Sequence, residues 1–340
     1  MSAPLLDTLN AMNLDEFSAY IDSLIKRTMD GGMLSREETT ALLDLEPDSP
    51  KAVIMEQKAG AMAKTVTNGT GRIWSAVGVD RHPCTMNCKF CSLGKQWGLI
   101  KDTAEWPVED IREAARLAGE HHASWFVLRT TEFYSLERLT KLASDIRAIL
   151  PESCQLVVNT GELTHETADK LVNAGVCGVY HTLRLREGKD TCFDPALRLA
   201  TLATIRDSRL ELYHMAEPLG IEHSSKEITD RIFVGHEYHA ALGGIMLRVS
   251  VKGTPFGETP MVSDARHAQA IAVCRIFAGS SVKNICTSPP SKRTLEAGAN
   301  VTPIEIGAVP RSAEVDHGSA WNGLGLVEAR ALLESAGYHL

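Results

Sequence analysis

The sequence predicts an α/β protein in which a (β/α)8 TIM-type barrel follows an N-terminal helical extension. Between residues 72 and 336, about eight strand-like segments alternate with helix-like segments, an order that favours a parallel barrel. The chain has 340 residues, which is enough for such a barrel with additional elements. Residues 1–66 contain helix patterns only. We therefore divide the chain into a helical extension (1–66) and a barrel domain (67–340).

The extension is predicted to be helical from its apolar spacing and its capping residues. Leu14–Thr28 has apolar residues at helical spacing. Ser35–Glu38 is a capping box that begins a second helix ending near Leu45. Ser49-Pro50 begins a third, with proline in the first turn. We expect these helices to cap one end of the barrel, and a separate helical domain is the alternative.

The barrel segments follow one another in a regular order. The predicted strands are Arg72–Val79, Ser124–Leu128, Gln155–Asn159, Val176–Thr182, Leu210–His214, Ile245–Val251, Val282–Cys286 and Val301–Ile306. The predicted helices between and after them are Trp106–Glu120, Leu136–Leu150, Leu163–Ala174, Pro195–Arg206, Lys226–Leu242, Ala265–Ala278, Lys292–Ala297 and Leu326–Ala336. In barrels of this kind the functional residues lie on the loops that follow the strands.

Composition and charge exclude several classes of protein. The net charge of −8 argues against nucleic acid or an anionic membrane as the main partner. The sequence contains no run of about 18 apolar residues, so no transmembrane span is predicted. Residues 1–10 lack the basic and apolar regions of a secretory signal, and eight cysteines without such a signal favour a reducing compartment. We therefore expect a cytoplasmic protein.

Three cysteines stand in the loop after the first predicted strand. Cys84, Cys88 and Cys91 have the spacing C-x3-C-x2-C. Thiolates are the ligands that iron–sulfur clusters require, and three of them leave one iron of a four-iron cube open to a chelating small molecule. The alternatives are three incidental cysteines or a zinc knuckle. A structural zinc site needs four ligands, and His82, the candidate fourth, is only two residues from Cys84.

This cysteine loop resembles the signature of the radical SAM superfamily, whose open iron binds S-adenosylmethionine. Val251–Pro255, Ala270–Ile276 and Glu296–Asn300 resemble consecutive landmarks of biotin synthase. Related landmarks occur in lipoyl synthase, methylornithine synthase and the radical SAM maturase of iron-only hydrogenase. The resemblance covers about residues 55–310. It implies a full barrel with a [4Fe-4S] cluster and S-adenosylmethionine at its top, the three cysteines being the cluster ligands.

The resemblance also implies residues that bind S-adenosylmethionine. Arg129–Glu132 is similar to the segment that binds its amino group, and Glu132 and the Thr131 carbonyl can accept hydrogen bonds from an ammonium. Arg198 resembles an arginine that pairs with the methionine carboxylate. The alternatives are a solvated loop carboxylate for Glu132 and a surface helix charge for Arg198. The segment that cradles the adenine is matched by three residues: Glu217, Pro218 and Leu219.

The chain departs from biotin synthase at the positions that hold a second, two-iron cluster there. The corresponding residues are Val127, Val157, His214 and Lys283, and none of them is a cysteine. The N-terminal cysteine triplet of lipoyl synthase is missing too, because no cysteine precedes Cys84. The presence of a second iron–sulfur cluster is therefore left open.

Two side chains near strand ends are candidates for catalysis. His214 ends the fifth predicted strand, and a hydrogen-bonding role is the alternative there. Cys286 ends the seventh. Its thiol can ligate a second cluster, accept a substrate radical or donate a hydrogen atom, and inert packing is the alternative. The other four cysteines, Cys154, Cys177, Cys192 and Cys274, are scattered and are interpreted as ordinary small residues.

Two arginines are candidates for binding the substrate. Arg184 and Arg186 follow the fourth predicted strand, where relatives have an acidic residue for the ribose. If the strand continues that far, both lie on one face. Guanidinium groups bind carboxylates and phosphates bidentately, which predicts an anionic or carboxylate-bearing substrate. The alternative is a pair of surface arginines held by Glu187 and Asp190.

These features predict a radical SAM enzyme of cofactor biosynthesis. The resemblance implies that S-adenosylmethionine is cleaved to a 5′-deoxyadenosyl radical, which abstracts hydrogen from a small substrate, free or bound to a carrier protein. Lipoyl- or biotin-type sulfur insertion is one reaction left open. The other is a fragmentation or rearrangement like that of the hydrogenase maturase or methylornithine synthase. A non-catalytic iron–sulfur scaffold is the alternative of another class. The expected protein partner is an electron donor such as flavodoxin or ferredoxin.

Overall fold

A computed structural model describes residues 3–311 and 324–340, and it confirms the predicted parallel barrel. The strands are β1 (Arg72–Gly78), β2 (Trp125–Arg129), β3 (Gln155–Asn159), β4 (Gly178–Tyr180), β5 in two segments (Glu211–Tyr213 and Ala216–Leu219), β6 (Leu242–Leu247), β7 (Asn284–Ser288) and β8 (Val301–Gly307). Each pairs with its neighbours in chain order, and β8 pairs in parallel with β1, so the sheet closes on itself.

One helix follows each barrel strand, and four helices precede the first strand. The helices of the extension are α1 (Ala3–Ala11), α2 (Leu14–Met29), α3 (Arg36–Leu43) and α4 (Pro50–Thr67). The outer helices are α5 (Val108–Glu120), α6 (Leu136–Arg147), α7 (His165–Asn173), α8 (Pro195–Arg206), α9 (Ser225–Glu237), α10 (Asp264–Ala278), α11 (Lys292–Glu296) and α12 (Leu326–Ser335). The predicted helix starts at Ser35 and Ser49 are confirmed, since both side chains accept hydrogen bonds from the first turn. Among the helices described, none is long and apolar enough to cross a lipid bilayer.

The extension lies along the outside of the barrel, against α9, α10 and α11. The expectation that it caps an end of the barrel is wrong. Apart from Arg266, the residues of α10 from Ala265 to Ala278 are all buried, so this helix is covered on its outer side as well as on the side of the sheet. The Gln269 side-chain amide donates to the carbonyls of Leu42 (3.1 Å) and Leu45 (2.7 Å), which fastens α10 to α3.

One glycine permits this close approach. A Cβ at Gly60 in α4 would lie 1.9 Å from the carbonyl oxygen of Glu296 in α11. That distance is far below any normal contact, so only glycine allows the two helices to pack backbone to backbone. The extension and the barrel therefore share one continuous apolar core.

The boundary between α9 and β6 differs from the sequence prediction. The preceding helix was expected to reach Leu242 and the strand to begin at Ile245, whereas α9 ends at Glu237 and β6 begins at Leu242. His239 has φ +57°, a left-handed conformation that ends a helix. Two glycines follow Leu242, and glycine is depleted in strands, which concealed the true start.

Aromatic side chains fill the part of the barrel lumen nearest the N-terminal strand ends. The ring centroid of Trp74 lies 5.6 Å from that of Trp125 and 5.2 Å from that of Tyr213. The Trp125 indole donates to the Tyr213 hydroxyl over 3.2 Å, so the polar atoms of this cluster are also satisfied. These rings therefore occupy the lumen on the N-terminal side of the barrel.

Candidate active site

A cavity of ≈ 170 Å³ opens at the C-terminal ends of the barrel strands. Trp74 lies at its base, and Val127, Met215 and Leu242 form part of its apolar wall. Charged side chains also line the cavity: Arg129, Arg184, Arg248, Arg311, Glu217 and Glu305. The cavity therefore combines an apolar interior with several buried charges, as small-molecule sites commonly do.

The cysteine loop leaves β1 and folds over this cavity. The Cys84 amide donates to the Leu93 carbonyl (2.6 Å), and the Lys95 amide donates to the Cys84 carbonyl (2.9 Å), which closes the loop. Cys88 and Cys91 both line the cavity. The structure thus brings two of the three predicted cluster ligands to the cavity wall and holds Cys84 in the same loop.

The spread of the three sulfur atoms argues against a single zinc ion. Within residues 3–311 and 324–340, one set of three or more potential ligand atoms lies within 4.8 Å of one another, and it is Asp190, Glu222 and His223. At least one pair of the three cysteine sulfurs is therefore farther apart than that. Sulfur ligands of one zinc ion lie about 3.8 Å apart, given a Zn–S bond of about 2.3 Å. The arrangement of the three sulfurs therefore differs from that of three ligands of one zinc ion.

Burial and the charge of Arg184 act in opposite directions on the three thiols. Burial raises the pKa of Cys84, raises that of Cys88 well above its ordinary value and raises that of Cys91 to about 11. The charge of Arg184 acts in the opposite direction on all three. The thiols are thus protonated until a metal displaces the protons, as is general for thiolate sites.

The turn after β2 places Thr131 and Glu132 beside the cysteine loop. Asp80, two residues after β1, accepts hydrogen bonds from the Thr131 amide (2.7 Å) and from the Thr131 hydroxyl. Burial raises the pKa of Glu132, whereas Arg198 lowers it from a distance of 4.0 Å. Glu132 is therefore a partly buried carboxylate at the barrel mouth, distinct from a solvated loop carboxylate.

Arg198 is buried, with 3% of its side chain exposed. It lies 3.2 Å from Glu162 and 3.7 Å from Glu187, and its guanidinium stacks 3.8 Å from the centre of the Phe193 ring. Burial raises the pKa of Glu162, but a hydrogen bond with His181 and the charge of Arg198 lower it to about 2. This position in α8 is thus the centre of a buried ionic network, which excludes the alternative of a surface charge.

The second segment of β5 places Glu217 and Pro218 on the cavity wall. The Glu217 carboxylate accepts hydrogen bonds from the Tyr180 hydroxyl (2.7 Å) and the Thr182 hydroxyl (2.9 Å), which fix its position. Leu219 is buried and is not part of the wall. Two of the three residues matched to the adenine segment therefore face the cavity.

The two predicted substrate arginines are separated. Arg184 lines the cavity and lies 3.4 Å from Glu187 and 3.8 Å from Glu217. Arg186 is absent from the wall, and its guanidinium binds Glu227 (2.7 Å). The alternation argument does not apply, because β4 ends at Tyr180 and Arg186 has φ +53° in a turn.

The two catalytic candidates also lie in different places. His214 sits between the segments of β5, and its Nδ1 is 3.1 Å from where a Cβ on Gly235 of α9 would be, so its ring faces the helix layer. Burial lowers the pKa of His214 to about 3, which keeps it neutral. Cys286 lines the cavity, and burial raises the pKa of its thiol. Only Cys286 therefore reaches the space where a substrate can bind.

The sequence interpretation gave no individual role to four charged residues of the cavity: Arg129, Arg248, Arg311 and Glu305. Strand alternation gives a signal for two of them. Val127 and Arg129 both face the lumen from β2, as Pro303 and Glu305 do from β8. Arg311 follows β8 in a loop, where no periodic pattern predicts its direction.

Comparison with known proteins adds sequence and structural relatives, although no family model matches the chain. A biotin synthase from Hyphomonas neptunium is 28% identical over 256 residues, which cover 71% of this chain and 77% of that enzyme. HydG, a maturase of the FeFe-hydrogenase, superposes with a TM-score of 0.75 at 14% identity, covering 99% of this chain and 78% of that chain. Methylornithine synthase (PylB) gives a TM-score of 0.75 at 14% identity, covering 93% and 96%. At these identities the solved structures establish the fold, and the biotin synthase match extends over most of both sequences.

Proposed function

The chain belongs to the radical SAM superfamily, in the group that includes biotin synthase, and we propose that it abstracts hydrogen from a small anionic substrate in cofactor biosynthesis. The observation that carries this proposal is the cysteine loop after β1, two of whose cysteines line the cavity at the C-terminal end of the closed barrel. When bound, a [4Fe-4S] cluster and S-adenosylmethionine supply a 5′-deoxyadenosyl radical. A one-electron donor such as flavodoxin or ferredoxin is the partner that the proposal requires.

Different residues of the chain bind the cluster and S-adenosylmethionine. In the proposal Cys84, Cys88 and Cys91 hold the cluster. Glu132 and the Thr131 carbonyl accept hydrogen bonds from the ammonium of S-adenosylmethionine, since charge-assisted bonds of this kind are short and strong. Arg198 lies 4.0 Å from Glu132 and provides the positive charge for the methionine carboxylate. The backbone of Glu217–Leu219 approaches the adenine.

The barrel keeps water and unwanted hydrogen donors away from the substrate. The lumen below the cavity is filled by the Trp74, Trp125 and Tyr213 rings, so solvent has no route from that side. Cys286 is a neutral thiol on the wall, which makes it our candidate for passing a hydrogen atom to a substrate radical. His214 faces the helix layer, and we assign it no contact with substrate.

We propose a fragmentation or rearrangement in preference to sulfur insertion, which the resemblance leaves equally open. Insertion requires a sulfur source beside the substrate. At the lumen positions matched to the second cluster of biotin synthase the side chains are Val127 and Val157, both buried and apolar. Cys286 is the only thiol on the described cavity wall besides those of the cysteine loop, and one thiolate makes a poor ligand set for a second cluster.

Replacing Glu132 by glutamine is expected to weaken S-adenosylmethionine binding by about ten- to a hundredfold, because a charge-assisted bond to its ammonium is lost. The measurement is the change in the EPR spectrum of the reduced, cluster-loaded protein as S-adenosylmethionine is added. In the wild type the spectrum is expected to shift, because the cofactor contacts the cluster directly.

The matched control is Glu137→Gln, an exposed carboxylate at the start of α6. It is expected to bind S-adenosylmethionine as the wild type does. A wild-type spectrum that ignores the cofactor would contradict the proposed function. Unchanged affinity in Glu132→Gln would remove Glu132 from the binding site and leave the rest of the proposal standing.

A further inference from the structure

The cavity contains one arginine whose charge is not balanced by a nearby carboxylate. Within the described residues, no Asp or Glu oxygen lies within 4.0 Å of the Arg129 guanidinium. Arg129 Nη2 donates to the Ala308 carbonyl, and its buried Nε has no hydrogen-bond partner. A buried guanidinium without a counter-ion is unfavourable unless a ligand supplies the negative charge.

The other three arginines of the cavity are all paired. Arg184 has Glu187 and Glu217 within 3.8 Å. Arg248 binds Glu222. Arg311 lies 3.2 Å from Glu305 and also donates to the Ser288 hydroxyl over 2.9 Å. The excess positive charge of the cavity wall is therefore concentrated at Arg129.

Arg311 and Glu305 are close enough to Arg129 for their charges to act on it. Burial lowers the pKa of Arg129, Glu305 raises it, and Arg311 lowers it again. Both guanidinium groups thus lie near the Glu305 carboxylate, and the charge of Asp80 also raises the pKa of Arg129. An anion bound between the two arginines would relieve their repulsion.

The surfaces beside this pair are apolar. Ala76 and Val127 lie on β1 and β2, and Trp74 forms the base of the cavity. Met246 contacts the Arg311 guanidinium through its sulfur (2.6 Å) and lines the same wall. A ligand held at the arginines therefore extends an apolar body into the lumen, towards Cys286.

We propose that Arg129 and Arg311 bind a terminal carboxylate of the substrate, whose apolar body lies against Trp74 and Val127. The inference rests on the proposed function and adds to it the substrate class and the residues that select it. A carboxylate brings a single negative charge to the two guanidinium groups, whereas a phosphate would bring a second one beside Glu305. Two forks also suit a planar anion.

A competing account gives Arg129 a role towards the cysteine loop alone. The charges of Arg129 and Cys91 act on each other, so Arg129 also faces that loop. On that account Arg129 balances thiolates and has no part in recognising a substrate. The two accounts differ in whether the arginine discriminates between charged and neutral ligands.

The test is calorimetric titration of the full, cluster-loaded chain, unreduced and saturated with S-adenosylmethionine so that the cofactor's own site is filled. The probes are hexanoate, hexanamide and hexylphosphonate. The wild type is expected to bind hexanoate about tenfold or more tightly than hexanamide, the usual effect of hydrogen bonds to a charged group. Arg129→Gln and Arg311→Gln are each expected to lose most of that preference, and Arg129→Lys to keep part of it.

Arg206→Gln, which removes an exposed arginine of α8, is the control and is expected to keep the full preference. Circular dichroism of each variant shows whether it is folded, and Arg311→Gln carries the test if Arg129→Gln is not. Equal binding of hexanoate and hexanamide by the wild type would overturn the inference. So would an undiminished preference in both variants, which the competing account predicts, or tighter binding of hexylphosphonate than of hexanoate. Failure of the wild type to bind S-adenosylmethionine would instead count against the proposed function, and the probes can then be titrated without it.

Discussion

Replacing Cys84, Cys88 and Cys91 together by alanine is expected to reduce iron uptake from about four ions per chain to none. The three thiols lie in one closed loop, and the next cysteine in the sequence is Cys154. Anaerobic reconstitution followed by iron and sulfide analysis measures the effect. Because thiolates provide all of the protein ligands in the proposal, the loss should be complete.

The control is Cys192→Ala, which removes an exposed thiol. The Cys192 backbone amide donates to the Met86 carbonyl of the cysteine loop over 2.8 Å, so the control residue lies next to that loop. It is expected to load iron like the wild type. A full complement of iron in the triple variant would show that other residues hold the cluster. About six irons in the wild type would indicate a second, two-iron cluster, against our preference for a fragmentation or rearrangement.

Replacing Arg275 by methionine is expected to lower the free energy of unfolding by about 3 kcal/mol or more. Arg275 is fully buried in α10. Its guanidinium donates to the carbonyls of Gly298 (2.8 Å) and Lys283 (3.1 Å) and to the Asn300 side chain (3.0 Å). Methionine fills the space and leaves these buried acceptors without donors, which is the costly outcome for a hydrogen bond. Urea unfolding followed by circular dichroism measures the change.

Arg206→Met provides the comparison for this stability prediction. Arg206 is exposed and pairs with the adjacent Asp207, so its replacement is expected to leave the free energy of unfolding close to that of the wild type. If Arg275→Met were as stable as Arg206→Met, the buried hydrogen bonds of α10 would contribute nothing net, and the close association of α10 with β7 and β8 would need another explanation.

Much of the fold could be predicted because parallel barrel strands are buried on both faces and so appear as short apolar runs. Gln155–Asn159 was predicted with its observed bounds for this reason. The position of the extension could not be predicted, because it depends on α10 being buried on nearly all sides and on the absence of a Cβ at Gly60. Both are properties of contacts between segments far apart in the chain.

The site shows the same division between local and distant information. The cysteine loop could be found because its three ligands lie within eight residues. The predicted equivalence of Arg184 and Arg186 assumed that β4 continues, whereas a left-handed turn at Arg186 directs its side chain to Glu227. The pair of Arg129 and Arg311 joins strand ends 182 residues apart, and closure of the barrel alone brings them to one cavity.

The direction of His214 was not predictable from its position at a strand end. β5 is interrupted there, and the neighbouring Tyr213 and Met215 both face the lumen, which leaves His214 on the outer side of the barrel wall. The sequence left two roles open for Cys286, inert packing and a part in the reaction. The structure places its side chain on the cavity wall.

The most direct test of the central claim is the release of 5′-deoxyadenosine. The cluster-loaded protein is incubated anaerobically with S-adenosylmethionine and a strong reductant, and the products are quantified by liquid chromatography and mass spectrometry. We expect 5′-deoxyadenosine and methionine in equal amounts, slowly in the absence of substrate, and neither product from the triple cysteine variant. A protein that carries a full, reducible cluster and yields no 5′-deoxyadenosine would contradict the assignment as a radical SAM enzyme.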